Sequence, residues 1–500
     1  MTPKRSLLDY LAEHAARHPD RVAIRCGDRT FTYREVEEGA ARCRGALALT
    51  GIKPGDRVAL LMNDSPEMIM HFLGIIGSAA IAVPCNTLLP MEALLHVLRD
   101  SAAKLIVTSP EHLKNAMATG VPNVVLGTEM WKPAVSPVPM AAFDRDTPCL
   151  VVYTSGSTGK PKGAVHHHGH LACPVESVAR NVYALQPDDR LFSAPRLYFA
   201  YGLGNSVLVP LGAGASTILL SERPTPALVA EVFSKYRPTI FFGVPTMFRM
   251  LLEYVRQGNA LDTGSLRFCT SAGEVLPAAT WTEWKELTRT EILESIGTTE
   301  LLYAFMHNHP GRNRPGSAGR VLEGYECHLT DDAGQVVEGA GRGHLHVRGG
   351  SAITHYLNNP EKTAETVRDG WVRTGDVCRR DAEGYYFFEG RSDDLFKCSG
   401  MWVSPFEVEE AVARHPAVLE AAVIAEPDEH GATIPAAYVM LRPGCSATEK
   451  DILEEAASTL PRFKQPKRIH FMDQLPRTPT GKVQRFKLRQ LSSAQRSKRS

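Results

Sequence analysis

Residues 154–163 read Thr-Ser-Gly-Ser-Thr-Gly-Lys-Pro-Lys-Gly and directly follow the apolar run Cys149-Leu-Val-Val-Tyr153. That composition suits a loop that grips a polyphosphate. Gly156, Gly159 and Gly163 let backbone N–H groups approach an anion closely, while Thr154, Ser155, Ser157 and Thr158 supply hydroxyls and Lys160 and Lys162 supply charge. A flexible glycine-serine linker has no reason to carry Lys-Pro-Lys-Gly behind a buried strand. The P-loop pattern Gly-x-x-x-x-Gly-Lys-Ser/Thr is not met, because Pro161 stands where its second glycine is needed. The chemistry implied is polyphosphate binding outside the P-loop class.

The elements around this loop alternate in type. Helix-period stretches at Tyr33–Leu49, from about Pro66, and near Met91–Arg99 alternate with strand-like Val58–Met62, Ile81–Val83 and Lys104–Thr108. Ser216–Leu220 and Thr239–Phe242 read as buried strands on either side of a helix at Pro226–Tyr236. This cadence predicts helices packed on largely parallel sheets, an α/β fold. After residue 320 the glycines at 324, 334, 339, 341, 343, 349 and 350 cut the chain into short alternating pieces such as His344–Arg348, which predicts a β-rich subdomain over about 320–392. Beyond Asp393, Ser404-Pro405 offers an N-cap and first-turn proline for a helix with Val408, Ala411 and Val412 on one face. Leu419–Ala425 and Ala436–Leu441 read as strands, and Ser446-Ala-Thr-Glu449 reads as a capping box opening a helix to about Leu460. The last hundred or so residues therefore form a compact α+β unit.

Composition narrows the function classes. With 43% hydrophobic and 22% charged residues in 500, the chain is an ordinary soluble globular type with room for several cores. Lysine plus arginine (56) nearly equals aspartate plus glutamate (55), so no global field recruits nucleic acid or an anionic membrane, and the expected partners are small molecules. Ten cysteines without any Cys-x-x-Cys pair fit reduced thiols and a cytoplasmic setting. The longest apolar stretch, Phe72–Pro84, is too short to span a bilayer, and the N-terminus lacks a signal-peptide pattern.

The phosphate loop resembles the signature of the adenylate-forming superfamily, which includes acyl-CoA synthetases, peptide-synthetase adenylation domains and luciferases, and further strings follow in that family's order. Ser271-Ala-Gly-Glu274 resembles its adenine-side turn, making Ala272, Gly273 and Glu274 nucleotide contacts. Glu294-Ser-Ile-Gly-Thr-Thr-Glu300 resembles its core motif, with Ser295 at the nucleotide, Thr299 on the α-phosphate and Glu300 as the Mg²⁺ ligand. Trp371-Val-Arg-Thr-Gly-Asp376 and Gly390-Arg-Ser-Asp-Asp394 resemble the ribose strings: Asp376 accepts from the ribose hydroxyls, Arg391 is the second contact and Asp393 the hinge. Pro476-Arg-Thr-Pro-Thr-Gly-Lys482 resembles the terminal motif, whose lysine stabilises charge building on the α-phosphate. Lys397, Ser399, Gly400 and Trp402, within Lys397-Cys-Ser-Gly-Met-Trp402, resemble the segment that admits the thiol of coenzyme A, and Lys464, Lys467 and Arg468 are candidate clamps for its nucleotide phosphates. The resemblance implies an N-terminal domain, 1–392, of two α/β subdomains plus the β-rich one, and a small mobile α+β C-terminal domain, 393–500. It also implies ATP, Mg²⁺ and coenzyme A as reactants, and a monomer or homodimer.

The acid is read from the pocket strings. Arg196-Leu-Tyr-Phe-Ala-Tyr-Gly-Leu-Gly-Asn205 resembles the corresponding run of benzoate-CoA ligases, so Phe199, Ala200, Tyr201 and Gly297 are expected to form a flat apolar slot for an aryl ring. No aspartate lies between Leu191 and Leu211 to pair an α-amino group, which disfavours amino-acid activation. The chain departs from the benzoate pattern at Leu301-Leu-Tyr-Ala-Phe-Met306, where Tyr303 adds a hydroxyl and Ala304 removes bulk, so a hydroxy- or amino-substituted benzoate is expected to fit. Competing readings are a ligase for an arylalkanoic, cinnamic or aliphatic acid, an acyl-AMP ligase loading a carrier protein, and a non-catalytic nucleotide binder. The histidines of His166-His-His-Gly-His170 are not read as a metal site, because no carboxylate or thiolate lies close in sequence.

Overall fold

A computed structural model describes residues 6–128, 135–154, 160–477 and 483–497. Of the expected site residues, Ser155, Gly156, Ser157, Thr158, Gly159 and Lys482 lie outside the described residues. The chain divides into two compact units: residues up to Cys327 with His346–Thr374, and His328–Leu345 with the chain from Gly375 onward.

The first unit is built on two sheets. One runs in the order Arg320–Val321, Ala304–His307, Ile292–Gly297, Phe268–Ser271, Ile240–Gly243, Arg190–Ser193, Ser216–Leu219, Val22–Cys26, Arg29–Thr32. From Ile292–Gly297 to Val22–Cys26 the strands pair parallel, and the outer pairs are antiparallel. The other sheet runs Val124–Leu126, Leu105–Thr108, Arg57–Leu61, Ile81–Pro84, Pro148–Thr154, Lys162–His167, parallel until its last antiparallel pair. Leu105–Thr108, Ser216–Leu219 and Ile240–Gly243 are buried at every residue, as strands covered on both faces must be.

Helices Tyr33–Leu49 and Pro226–Tyr236 take the bounds their periodicity predicts. Thr32 and Glu35 close a capping box on the former. Pro66–Gly77 is buried at every residue but Glu67, and a Cβ on Gly74 would stand 2.5 Å from Cys43 Cβ, so glycine there lets two helices meet. One core joins both helices to Ala23, Ile24, Val58 and Leu60 on strands of both sheets. No helix among the described residues is long and apolar enough to cross a membrane.

The second unit contains a three-stranded sheet, Val418–Pro427 antiparallel to Thr433–Leu441, which pairs parallel with Arg468–Phe471. Its alternation is strict. Ala421, Val423, Ala437 and Val439 face a core that includes Val408, Val412 and Ile452 of the helices Pro405–Ala413 and Glu449–Ala457. Ala422, Ile424 and Tyr438 face the opposite core with Leu488.

Two expected caps differ. Ser404 is at the N-cap position, but its hydroxyl donates to the carbonyl of Glu389 and makes no cap hydrogen bond. The capping box lies two residues later than expected, with Thr448 and Asp451 in place of Ser446 and Glu449, since the helix starts at Glu449 and its N3 position is Asp451. The released Glu449 carboxylate accepts from Ile469 N at 3.1 Å.

Candidate active site

Parallel strands Arg190–Ser193, Ile240–Gly243, Phe268–Ser271 and Ile292–Gly297 end side by side. Ser193 pairs with Phe242, Gly243 with Ser271, and Ser271 with Glu294. The chain at and just beyond these carboxyl ends carries Phe199, Ala200 and Tyr201, then Ala272, Gly273 and Glu274, then Gly297, Thr299, Glu300 and Tyr303. Beyond the carboxyl ends of a parallel sheet, backbone groups freed from strand pairing make a crevice where ligands bind. This sheet thus gathers the expected adenine, α-phosphate and acyl residues at its carboxyl ends, while Thr154, Lys162 and Gly163 belong to the six-stranded sheet.

Strands Pro148–Thr154 and Lys162–His167 pair antiparallel and set Tyr153 opposite Gly163 and Thr154 opposite Lys162, with Lys160 exposed. The start of the second strand is pinned by His96 Nε2 at 2.9 Å from the Pro161 carbonyl and by Leu357 N donating to the Gly163 carbonyl at 2.8 Å. A Cβ at 163 would meet Val151 Cγ1 at 2.7 Å, so strand packing itself requires this glycine. In the turn after Phe268–Ser271, Ala272 is buried, Gly273 has φ +88°, and Glu274 accepts from Thr246 Oγ1 at 3.3 Å.

The core motif is held from outside. Ser295 is buried on its strand, and Thr299–Leu301 form a single 3₁₀ turn followed by Leu302 at φ +63°. A Cβ on Gly297 would lie 2.5 Å from the Tyr303 carbonyl oxygen, so glycine is needed where Gly297 pairs with Ala304. Three successive carbonyls engage distant groups: Thr299 O with His166 Nε2 at 2.8 Å, Glu300 O with Ile353 N at 2.9 Å, and Leu301 O with Ser351 Oγ at 2.7 Å. Tyr356 donates its hydroxyl to Oε1 of Glu300. A carboxylate oriented through one oxygen is the hard donor that Mg²⁺ combines with phosphate oxygens and water, so Glu300 fits the role the resemblance implies.

Among the residues expected to form the acyl slot, the Tyr201 hydroxyl and Thr270 Oγ1 are 2.8 Å apart, and the Tyr201 and Tyr303 rings stack with centroids 6.2 Å apart. The Tyr303 hydroxyl donates to Asn205 Oδ1, and Asn205 Nδ2 reaches Ser193 Oγ at 3.3 Å. A Cβ on Gly204 would fall 2.2 Å from the Tyr303 ring, so glycine makes room for that side chain. Ala304 is buried, and Phe199 stands edge-on to Tyr198 at 4.6 Å. Arg196 anchors the segment by donating to the carbonyls of Leu220 and Ser221, both at 2.7 Å, beside buried Asp64. Burial pushes the Asp64 carboxyl up to about 6, with Arg196 opposing it.

In the second unit Asp376 and Arg391 are register partners, with Arg391 Nη1 donating to Asp376 Oδ1 at 2.7 Å. Gly375, at φ +75°, leaves space for the guanidinium, since a Cβ would stand 2.8 Å from Nη2. A hairpin of Phe396–Cys398 and Met401–Val403 turns through Ser399 at φ +50° and Gly400 at φ +81°. Lys397 Nζ lies 4.6 Å from the centre of the Trp402 ring. Arg489 donates to the Asp393 carbonyl at 3.4 Å and to Asp394 Oδ1 at 2.6 Å. Of the candidate coenzyme A clamps, Lys464 pairs with Glu407 and Arg468 with Glu426.

Sequence reasoning missed Tyr356, Ser351 and His166 as supports of the core motif. His166 sits in the histidine run that the sequence reading set aside as a metal site, and nothing local marks Tyr356 or Ser351. Asn205 closes the benzoate-like run, and its short side chain gave no sign of its partner.

The chain matches the AMP-binding enzyme family over residues 11–357 and the AMP-binding enzyme C-terminal domain over 407–482. It is 39% identical to a benzoate-CoA ligase of Thauera aromatica over 92% of this chain and 90% of that one. It is 36% identical to an anthranilate-CoA ligase of Pseudomonas aeruginosa over 88% of each. A crystal structure of an anthranilate CoA ligase in complex with anthranoyl-AMP superposes with a TM-score of 0.93 at 35% identity, covering 98% of both chains. With a family model matching residues 11–357 and relatives this similar over nearly the whole chain, the protein belongs to the AMP-binding enzyme family.

Proposed function

We propose that the chain is an ATP-dependent aryl acid-CoA ligase. An aryl carboxylate oxygen attacks the α-phosphorus of ATP, the bond to the β-phosphate oxygen breaks, and aryl-adenylate and pyrophosphate form. The thiolate of coenzyme A then attacks the acyl carbon, giving aryl-CoA and AMP. The observation that carries this reading is the acyl segment: the Tyr201 and Tyr303 rings stack, Phe199 packs edge-on against Tyr198, and no acidic side chain lies between Arg196 and Asn205 to attract an amine. Relatives named for benzoate and anthranilate support it.

In this reading residues 154–163 grip the β- and γ-phosphates, and Ala272, Gly273, Glu274 and Ser295 line the nucleotide. Thr299 donates to the α-phosphate, and Glu300, oriented by Tyr356, would hold Mg²⁺, which neutralises phosphate charge when bound. Asp376 accepts from the ribose hydroxyls with Arg391 beside it, and Lys482 stabilises the charge that builds during attack. Residues 1–392 and 393–500 act as the two working domains with Asp393 as hinge, and Lys397, Ser399, Gly400 and Trp402 serve the thiol step.

The test is acid-dependent AMP release with MgATP, with and without coenzyme A, over benzoates, hydroxybenzoates, aminobenzoates, cinnamate, phenylacetate and straight-chain acids. Coenzyme A-dependent turnover concentrated on aryl acids is expected. Turnover confined to aliphatic acids overturns the aryl reading, and adenylation that ignores coenzyme A points to a carrier-protein acceptor.

A further inference from the structure

Among the described residues, the one donor from outside its own loop that reaches the carbonyl of Thr299 is a buried imidazole. His166 has no exposed surface, and its Nε2 lies 2.8 Å from the Thr299 carbonyl oxygen. A carbonyl cannot donate, so Nε2 must carry a hydrogen. The other ring nitrogen, Nδ1, lies 3.2 Å from Nδ1 of His170, and the rings meet edge to face.

No carboxylate among the described residues bonds either ring, and burial holds the His166 imidazole at about 3, well below its ordinary value. His166 is then neutral and has a single N–H, already committed to Thr299. Its Nδ1 is a lone pair, and only a hydrogen on Nδ1 of His170 completes the contact. The competing contact, His167 N to His170 Nδ1, is longer at 3.4 Å.

We propose that His166 and His170 are a positioning pair for the core motif, locked as the Nε2–H tautomer of His166 and the Nδ1–H tautomer of His170. The pair grips the first of three carbonyls, those of Thr299, Glu300 and Leu301, that carry the turn leading into Leu302 at φ +63°. Neither histidine touches substrate. Their effect passes through the Thr299 backbone to the side chains proposed for the α-phosphate and the cation, so this inference rests on the functional reading above. The histidine run thereby acquires a use that needs no metal.

Two measurements test it. Neutron diffraction from deuterium-exchanged crystals of the full chain is expected to place deuterium on Nε2 of His166 and Nδ1 of His170. Deuterium on Nδ1 of His166, or on both of its nitrogens, overturns the proposal even if every variant misfolds. Single-turnover aryl-adenylate formation should fall at least about tenfold in His166→Phe, which has no donor. It should recover to within about threefold of wild type in His166→Gln, whose amide returns a donor. Coenzyme A capture of preformed aryl-adenylate should be unchanged in both. Folded His166→Phe with wild-type adenylation, or no recovery in folded His166→Gln, refutes the positioning role. Failure of the functional reading looks different, because wild type would then form no adenylate while the deuterium positions still report the tautomers.

Discussion

Tyr356 donates its hydroxyl to the Glu300 carboxylate, fixing one oxygen of the side chain proposed to hold Mg²⁺. Tyr356→Phe keeps the ring in its buried place and removes the hydroxyl that bonds Glu300. Adenylate formation should fall about tenfold and require more Mg²⁺ for half-maximal rate, the scale of losing a partner that orients a metal ligand. A Mg²⁺ titration of pyrophosphate release that superposes on wild type would remove Tyr356 from the site.

Lys482→Ala should cut adenylate formation at least about a hundredfold, as expected for one lost charge contact in the transition state. Capture of preformed aryl-adenylate by coenzyme A should be nearly intact. Equal loss in both half-reactions would contradict the division of labour between the two working domains.

The Asp376–Arg391 pair leaves one carboxylate in a near-buried position with a half-exposed cation beside it. Asp376→Asn halves the acceptor capacity and removes the charge. The ATP KM should rise roughly tenfold with little change in the acid KM, the range for losing a charge-assisted hydrogen bond. A rise in the acid KM alone would move Asp376 out of the nucleotide site.

Tyr303→Phe tests what its hydroxyl faces. Because that hydroxyl bonds Asn205, the ranking of benzoate, hydroxybenzoates and aminobenzoates by kcat/KM should stay within about threefold, while stability drops by about 1–3 kcal/mol from the stranded amide. A selective loss for one substituted acid would show the hydroxyl reading that substituent instead.

Acid sensitivity follows from buried imidazoles. Burial holds His71, His168 and His307 at about 4, against an ordinary 6.5. Between those values the unfolded chain binds more protons, so stability present above pH 6.5 is lost as pH falls toward 4. Asp64, raised to about 6, acts the other way: its contribution is present below its ordinary 3.8 and is lost as pH rises through 6. Asp64→Asn should therefore steepen the acid loss of the urea midpoint between pH 6.5 and 4.5. An unchanged slope would mean that Asp64 does not titrate in that window.

Local signals were legible wherever chemistry depends on neighbours in the chain. The parallel-sheet expectation and the helix Tyr33–Leu49 follow from composition and periodicity, which act over a few residues. Even there, a cap two residues off at Ser446 shows that several adjacent hydroxyls and acids offer equivalent local solutions, and packing of the following helix selects among them.

What the sequence by itself determined was the inventory and order of reactive groups, because backbone conformation and charge in the motifs are set by adjacent residues. Only the tertiary structure decided what holds them. Tyr356 meets Glu300 across 56 residues, Tyr303 meets Asn205 across 98, and His166 meets Thr299 across 133. Such pairs obey no periodicity. They exist because parallel strands end side by side and buried polar groups must find partners there, and that requirement leaves no trace in any short stretch of chain.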